Sequence, residues 1–133
     1  MHPVPKPGGT RVCIIRHGET DWNVERRIQG HTDIPLNATG RAQALAMAFN
    51  AAHHRFHAIY SSDLARAMET ARVLAQREDH EVRPLPQLRE RHYGIFQGIT
   101  PAQGAELYPA AHAHYMMRDP DYDFETGESL IRF

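Results

Sequence analysis

The chain has 133 residues, 41 % of them apolar and 23 % charged, with a net charge of −1. That is an ordinary globular composition for one domain with a real core. It lacks the basic stripe of a nucleic-acid binder and the charge block of a membrane-surface protein. The lone Cys13 excludes a disulfide framework, and no apolar run approaches the ~18 residues of a membrane span. A reducing, cytoplasmic setting fits both.

Residues 1–10, with Pro3, Pro5, Pro7, Gly8 and Gly9, read as a flexible lead-in without the apolar core of a signal peptide. The domain is therefore set at 11–133. Val12-Cys13-Ile14-Ile15 predicts a central strand buried on both faces. Gly18 follows, so Arg16 and His17 fall at the carboxyl end of that strand, where ligands collect in open α/β sheets. A long loop occupies residues 18–36, a length that is usually functional. Asn37 offers an N-cap, and Ala42, Leu45, Ala46 and Phe49 recur at helical spacing, which predicts a helix over 38–52. A second strand near Ala58–Ser61 leads, through an N-cap signal at Ser62 and Asp63, into a helix over 63–77. The apolar face of that helix is Leu64, Ala67, Met68, Ala71, Leu74 and Ala75. A third strand covers Val82 to Leu85, and Pro84 places it towards an edge. Thr100-Pro101-Ala102-Gln103 is a capping box with proline at the first helical position, so a short helix runs to Tyr108. Beyond Pro109 the pattern fades. The alternation of strands and helices predicts an α/β fold, a three-layer sandwich around a mostly parallel central sheet.

An imidazole and a guanidinium at a strand tip suit the capture and attack of an anion, which makes His17 a candidate nucleophile towards phosphate and Arg16 part of its cradle. Arg66, in the first turn of the helix after the second strand, adds bidentate donors near a positive helix end. An isolated helical arginine is more often a solvated surface group. Glu90 could act as general acid for a leaving alcohol, though Arg89 and Arg91 beside it favour the ionised form, and an exposed Glu–Arg pair is the plainer reading. His53, His57, His112 and His114 read as solvated side chains rather than metal ligands. No glycine-rich nucleotide loop is present, so no cofactor or metal is called for.

These residues together resemble the histidine phosphatase superfamily, the phosphoglycerate mutase-like group. Arg16-His17-Gly18-Glu19-Thr20 with Asn23, Arg26-x-x-Gln29-Gly30 and Asp33-x-Pro35-Leu36-Asn37 resembles its first block. Tyr60-Ser61-Ser62-Asp63-Leu64-x-Arg66-Ala67-x-Glu69-Thr70-Ala71 resembles the second, and Leu88-x-Glu90-x-x-x-Gly94-x-x-x-Gly98 the third. Gly127-Glu128-Ser129 also has a counterpart. The resemblance implies that His17 takes a phosphoryl group as phosphohistidine, that Arg16 and Arg66 bind its oxygens, and that Glu90 donates the proton. It also implies that Asn23, Gln29, Gly30 and Tyr93 line the substrate side, without a metal.

Family members carry a second histidine at the end of a later strand, and the chain stops at Phe133 before such a strand begins. None of His31, His92, His112 and His114 follows an apolar strand run, so none replaces it. The sequence therefore reads as the family's fold without its C-terminal strands and helices. The unpaired edge left on the first strand is open to self-association, including a homodimer. Pro101 stands where mutases resemble Gly-x-x-Lys, and the short stretch Tyr115–Asp119 resembles the phosphatase branch. A phosphomonoester hydrolase acting on a small phosphorylated metabolite is expected. A bisphosphoglycerate-dependent mutase (an isomerase), or a non-catalytic scaffold if the chain ends at 133, are the alternatives.

Overall fold

The structure, a computed structural model, describes residues 8–133. The first seven residues of the expected lead-in lie outside the described residues. In chain order the elements are α1 (Asp21–Val24), α2 (Ala38–Asn50), β1 (Ile59–Ser61), α3 (Ala65–Glu78), β2 (Val82–Pro84), α4 (Pro101–Leu107) and α5 (Pro109–Met117), with short 3₁₀ turns at Ala51–His53, Pro86–Leu88 and Gly94–Phe96. β1 and β2 pair in parallel, Ile59 opposite Val82 and Ser61 opposite Pro84. α3 is the crossover between them, as parallel strands require. Pro84 lies at the end of β2, where it removes no interior ladder bond.

The helix starts are local chemistry. The Asn37 side chain accepts the Gly40 N–H at 2.8 Å and caps α2. Thr100 and Gln103 form a reciprocal capping box at α4, with Pro101 in the first turn. α3 differs from its expected start: Leu64 is its N-cap residue without a side-chain bond, and the orphan Ala65 N–H is instead accepted by Asp33 Oδ1 at 2.6 Å, from the 18–36 loop. That loop is also less irregular than expected, because Thr20 and Asn23 build a capping box for α1. α5 forms although no sequence pattern marked it, with Pro109 in its first turn.

The first strand is a correction. Val12–Ile15 forms no strand, and Val12, Ile14 and Ile15 are 75 %, 92 % and 38 % exposed. Cys13 is exposed as well. β-propensity describes fit to a paired, half-buried surface, and no ladder among the described residues reaches this run. The face of α2 is a second correction. Gly40, Ala44 and Ala48 are its buried residues, while Leu45 and Phe49 are 63 % and 69 % exposed. Small residues four apart let α2 lie close to α3, where Ala48 joins Leu74, Ala75 and Ile59 in one core cluster. The exposed Phe49 ring is covered in part by the Arg77 guanidinium, 5.2 Å from its centroid.

A second cluster holds the other half of the molecule. Phe96, fully buried, packs with Ala111 and Phe124, and Ile28, Tyr93, Ile99 and Tyr115 surround them. It anchors the 28–31 segment: Ile28 N–H is donated to the Ile99 carbonyl at 3.0 Å, and the Gly98 N–H to the Ile28 carbonyl at 2.8 Å. Of the expected sandwich, the described residues therefore build a parallel pair of strands with helices packed on it and a helical lobe beside it.

Candidate active site

His17 is half-buried at the turn after the exposed apolar run. Its Nδ1 lies 2.7 Å from the Gly18 carbonyl oxygen. A carbonyl only accepts, so Nδ1 carries the proton and Nε2 is left with its lone pair free. The turn is locked against two helices. Gly18 N–H is donated to Thr70 Oγ1 at 3.1 Å, Asn37 N–H to the Glu19 carbonyl at 3.0 Å, and Glu19 N–H to Gln43 Oε1 at 2.9 Å. Gly18 and Gly40 meet backbone to backbone, and a Cβ on either would overlap the facing chain. Glycine is required there by space rather than by φ.

Arg66 is 2 % exposed. Its Nη1 donates to the Thr32 carbonyl at 2.9 Å and Nη2 to the Gly30 carbonyl at 2.7 Å. Gly30 reaches this position with φ of 53°, a left-handed conformation that suits glycine. Burial draws the guanidinium below its ordinary value, and Glu90 and Asp33 oppose the shift. Arginine keeps its charge at all working pH values, so a buried cation here is held by neutral carbonyls. Such a cation is costly until an anion joins it.

His17 responds to the same surroundings. Burial is the largest cause lowering its pKa below 6.5; the Gly18 bond opposes it, the charges of Arg66 and Arg16 add to it, and Glu90 opposes it. These four side chains therefore share one electrostatic neighbourhood, although they come from positions 16 to 90. Arg16, His17, Gly18, Gln43, Ala44, Met47 and Thr70 line a small cavity of about 150 Å³. Glu90 is exposed, and its Oε1 accepts the Arg91 N–H at 2.8 Å. The flanking arginines, expected to bear on it, are turned away. Arg89 makes two bonds to Asp63, at 2.7 and 2.5 Å. Arg91 is buried and donates to the Glu128 and Tyr122 carbonyls, each at 2.7 Å.

The other expected residues take more structural positions. Asn23 Oδ1 accepts the Thr20 N–H at 3.0 Å, inside the α1 cap. Gln29 is buried, and its Oε1 accepts from the Thr20 hydroxyl at 3.0 Å. Tyr93 packs edge-on to Phe124, with centroids 5.6 Å apart; burial and then Glu90 raise its phenol above the usual value. Sequence reasoning assigned no role to Thr70, Asp33 or Gln43, because a capping or bridging partner so far along the chain leaves no local pattern. Among the described residues no group of three or more His, Cys, Asp and Glu is placed to hold a metal ion. No helix among them is long and apolar enough to cross a membrane.

Comparison with known proteins places the chain in a family. The sequence profile of the histidine phosphatase superfamily (branch 1) matches residues 12–133. Phosphoglycerate mutase-like protein 4 of Arabidopsis thaliana is 41 % identical over 122 residues, covering 90 % of this chain and 53 % of its own length. Glucosyl-3-phosphoglycerate phosphatase of Mycobacterium tuberculosis is 45 % identical over 121 residues, covering 91 % and 54 %. The solved structure of the mycobacterial glucosyl-3-phosphoglycerate phosphatase in complex with VO3 superposes with a TM-score of 0.79 at 40 % identity, over 87 % of this chain and 55 % of that one. The chain thus spans about half the length of the relatives it matches, and shares with them the phosphoglycerate mutase-like α/β fold over that part. Sequence and fold agree, and the chain belongs to the histidine phosphatase superfamily, branch 1.

Proposed function

We propose that the whole protein is a phosphomonoester hydrolase working through a phosphohistidine at His17. The observation that carries this reading is the pairing of an imidazole whose Nδ1 is tied to Gly18 with a buried guanidinium whose hydrogen bonds among the described residues go to two carbonyls. A phosphate dianion would bring the hydrogen-bonded counter-charge that these carbonyls do not provide. With Arg16 and Arg66 on its oxygens, Nε2 of His17 attacks phosphorus, the P–N bond forms and the P–O ester bond breaks. Glu90 gives its proton to the departing alkoxide. Water then attacks the phosphohistidine, Glu90 takes its proton back, and inorganic phosphate leaves. Asn23 has its carbonyl oxygen turned into the cap, so its NH2 is the face offered to a ligand, beside Gln29, Gly30 and Tyr93.

The exposed apolar run Val12–Ile15 supports its pairing as a strand with further chain in the whole protein, which would bring the second histidine that the family resemblance implies. We assign the protein to the cytoplasm on its single unpaired cysteine, and read the chemistry as metal-independent. A mutase remains the second reading, favoured by Glu90-Arg91-His92-Tyr93-Gly94. Against it, Pro101 opens α4 where a lysine would be needed for a substrate carboxylate. Hydrolysis of para-nitrophenyl phosphate by the whole protein, unaffected by chelators, inhibited by vanadate and abolished in His17→Ala, is the expected result. Isomerisation of phosphoglycerate dependent on bisphosphoglycerate, without hydrolysis, would overturn it.

A further inference from the structure

Next to the segment that seats Arg66 lies a side-chain cluster that the steps above leave unused. His31 lies between Gly30 and Thr32, whose carbonyls seat the Arg66 guanidinium, and its own N–H is donated to Gln97 Oε1 at 2.7 Å. Its ring meets that of His92 edge to face, with centroids 4.8 Å apart and planes at 71°. Glu128 joins them from near the other end of the chain: Oε2 accepts the His92 N–H at 2.8 Å and lies 3.9 Å from His31 Nε2. His31 and Glu128 keep 24 % and 35 % of their side-chain surface open to solvent, so a ligand can reach both.

The hydrogen bonds define what these groups offer. Gly94 N–H is donated to His92 Nδ1 at 3.0 Å, so Nδ1 carries no proton and Nε2 is the donor. The trio therefore combines imidazole N–H donors with a carboxylate acceptor. A hydroxyl both donates and accepts, and suits that combination. A carboxylate on the ligand would face the Glu128 carboxylate, while Arg89 is paired with Asp63 and Arg91, still charged, aims its donors at the Glu128 and Tyr122 carbonyls.

We propose that His31, His92 and Glu128 form the subsite for the alcohol part of the substrate and select phosphomonoesters whose alcohol carries neighbouring hydroxyls, as in a polyol or sugar phosphate, over acidic or bare alkyl ones. The inference rests on the hydrolase reading for its orientation: with phosphorus between His17 and Arg66 and Glu90 at the bridging oxygen, the alcohol lies on the Glu90 side, and His92 follows Glu90 by two residues in the chain.

The test compares β-glycerophosphate with isopropyl phosphate, which has the same branched skeleton without hydroxyls, and with phosphoglycolate, which carries a carboxylate. Binding to the whole protein is measured by calorimetry, alongside turnover of para-nitrophenyl phosphate. The wild type is expected to bind β-glycerophosphate about tenfold more tightly than the other two, the worth of one or two well-placed hydrogen bonds. His31→Phe keeps the ring contact with His92 but has no N–H. It should erase that preference while leaving isopropyl phosphate binding within about twofold, and His31→Gln should recover part of it. A wild type without the preference, a preference that survives His31→Phe, or equal loss for all three ligands would overturn the subsite. Failure of the wild type to hydrolyse the aryl ester would count against the hydrolase reading instead, and the binding ratios would still decide the subsite.

Discussion

Thr70 joins Gly18 to the α3 helix: its hydroxyl accepts the Gly18 N–H at 3.1 Å and donates to the Arg66 carbonyl at 2.8 Å. One buried oxygen thus sets the His17 turn against the helical turn that carries Arg66. Thr70→Val keeps the shape and removes the acceptor, so the Gly18 N–H is left buried without a partner. A loss of about 1–3 kcal/mol in unfolding free energy is expected, read from the urea midpoint. His17-dependent turnover should fall further than global stability alone explains. Unchanged stability would remove Thr70 from this role.

The lowered pKa of His17 has a defined pH signature. Burial, then Arg66 and Arg16, place its folded value below the 6.5 of a free imidazole. Between the two values the unfolded chain binds more protons than the native one. The stability linked to His17 is therefore full above 6.5 and declines as pH falls through the lowered folded value. The acid limb of kcat/KM should lie below 6.5, and Arg66→Met should shift it upwards, since a positive neighbour is removed. The ring signals of His17 followed by NMR against pH check the direction, even where turnover is too slow to measure. An acid limb above 6.5 in the wild type would contradict the assigned environment.

Arg66 should not tolerate lysine. Two carbonyls from different residues are gripped by two nitrogens of one planar group, and an ammonium cannot span both while still facing a phosphate. Arg66→Lys is expected to weaken vanadate binding by more than about tenfold, because bidentate geometry is lost as well as reach. Equal inhibition constants for the two proteins would show that Arg66 does not meet the anion.

Glu90→Gln should slow alkyl phosphates more than phenolic ones, because a phenolate departs without needing a proton. A difference of about tenfold or more between the two substrate classes is expected in steady-state kcat. Equal losses would take the acid role away from Glu90.

The two faces of α2 make a structural contrast. Gly40→Ala would drive a Cβ into the Glu19 backbone, and overpacking of this kind costs about 1–3 kcal/mol. Leu45→Ser, on the face that periodicity favoured, should change the stability of this 133-residue chain by no more than about 0.5 kcal/mol, since Leu45 is 63 % exposed. Thermal unfolding of the two variants distinguishes the assignments. A reversed order would mean that Leu45 faces a core.

Much of the chain was legible locally. Asn37, Thr100 with Gln103, and Pro101 act within one helical turn, and both helix starts stand where those residues place them. The strand at Ile59–Ser61 and the edge character of Pro84 were also readable, because a run of apolar residues and a missing N–H act at the position itself. α5 was not, since its buried surface reduces to Ala111 and no amphipathic stripe announces it. Val12–Ile15 misled for the opposite reason: its composition speaks for a buried strand, but a strand exists only when another backbone lies beside it.

The sequence by itself determined the chemical parts: an imidazole, two arginines and a carboxyl, in a family's order and spacing, with the helix that carries Arg66. Only the tertiary structure decided which proton the imidazole keeps, that Arg66 is buried beneath the carbonyls of Gly30 and Thr32, and that His31, His92 and Glu128 meet. The burial of Arg66 and the meeting of the trio depend on contacts between residues tens of positions apart, and the His17 tautomer on the fold of its own turn, whose energies come from desolvation and geometry that no local pattern encodes.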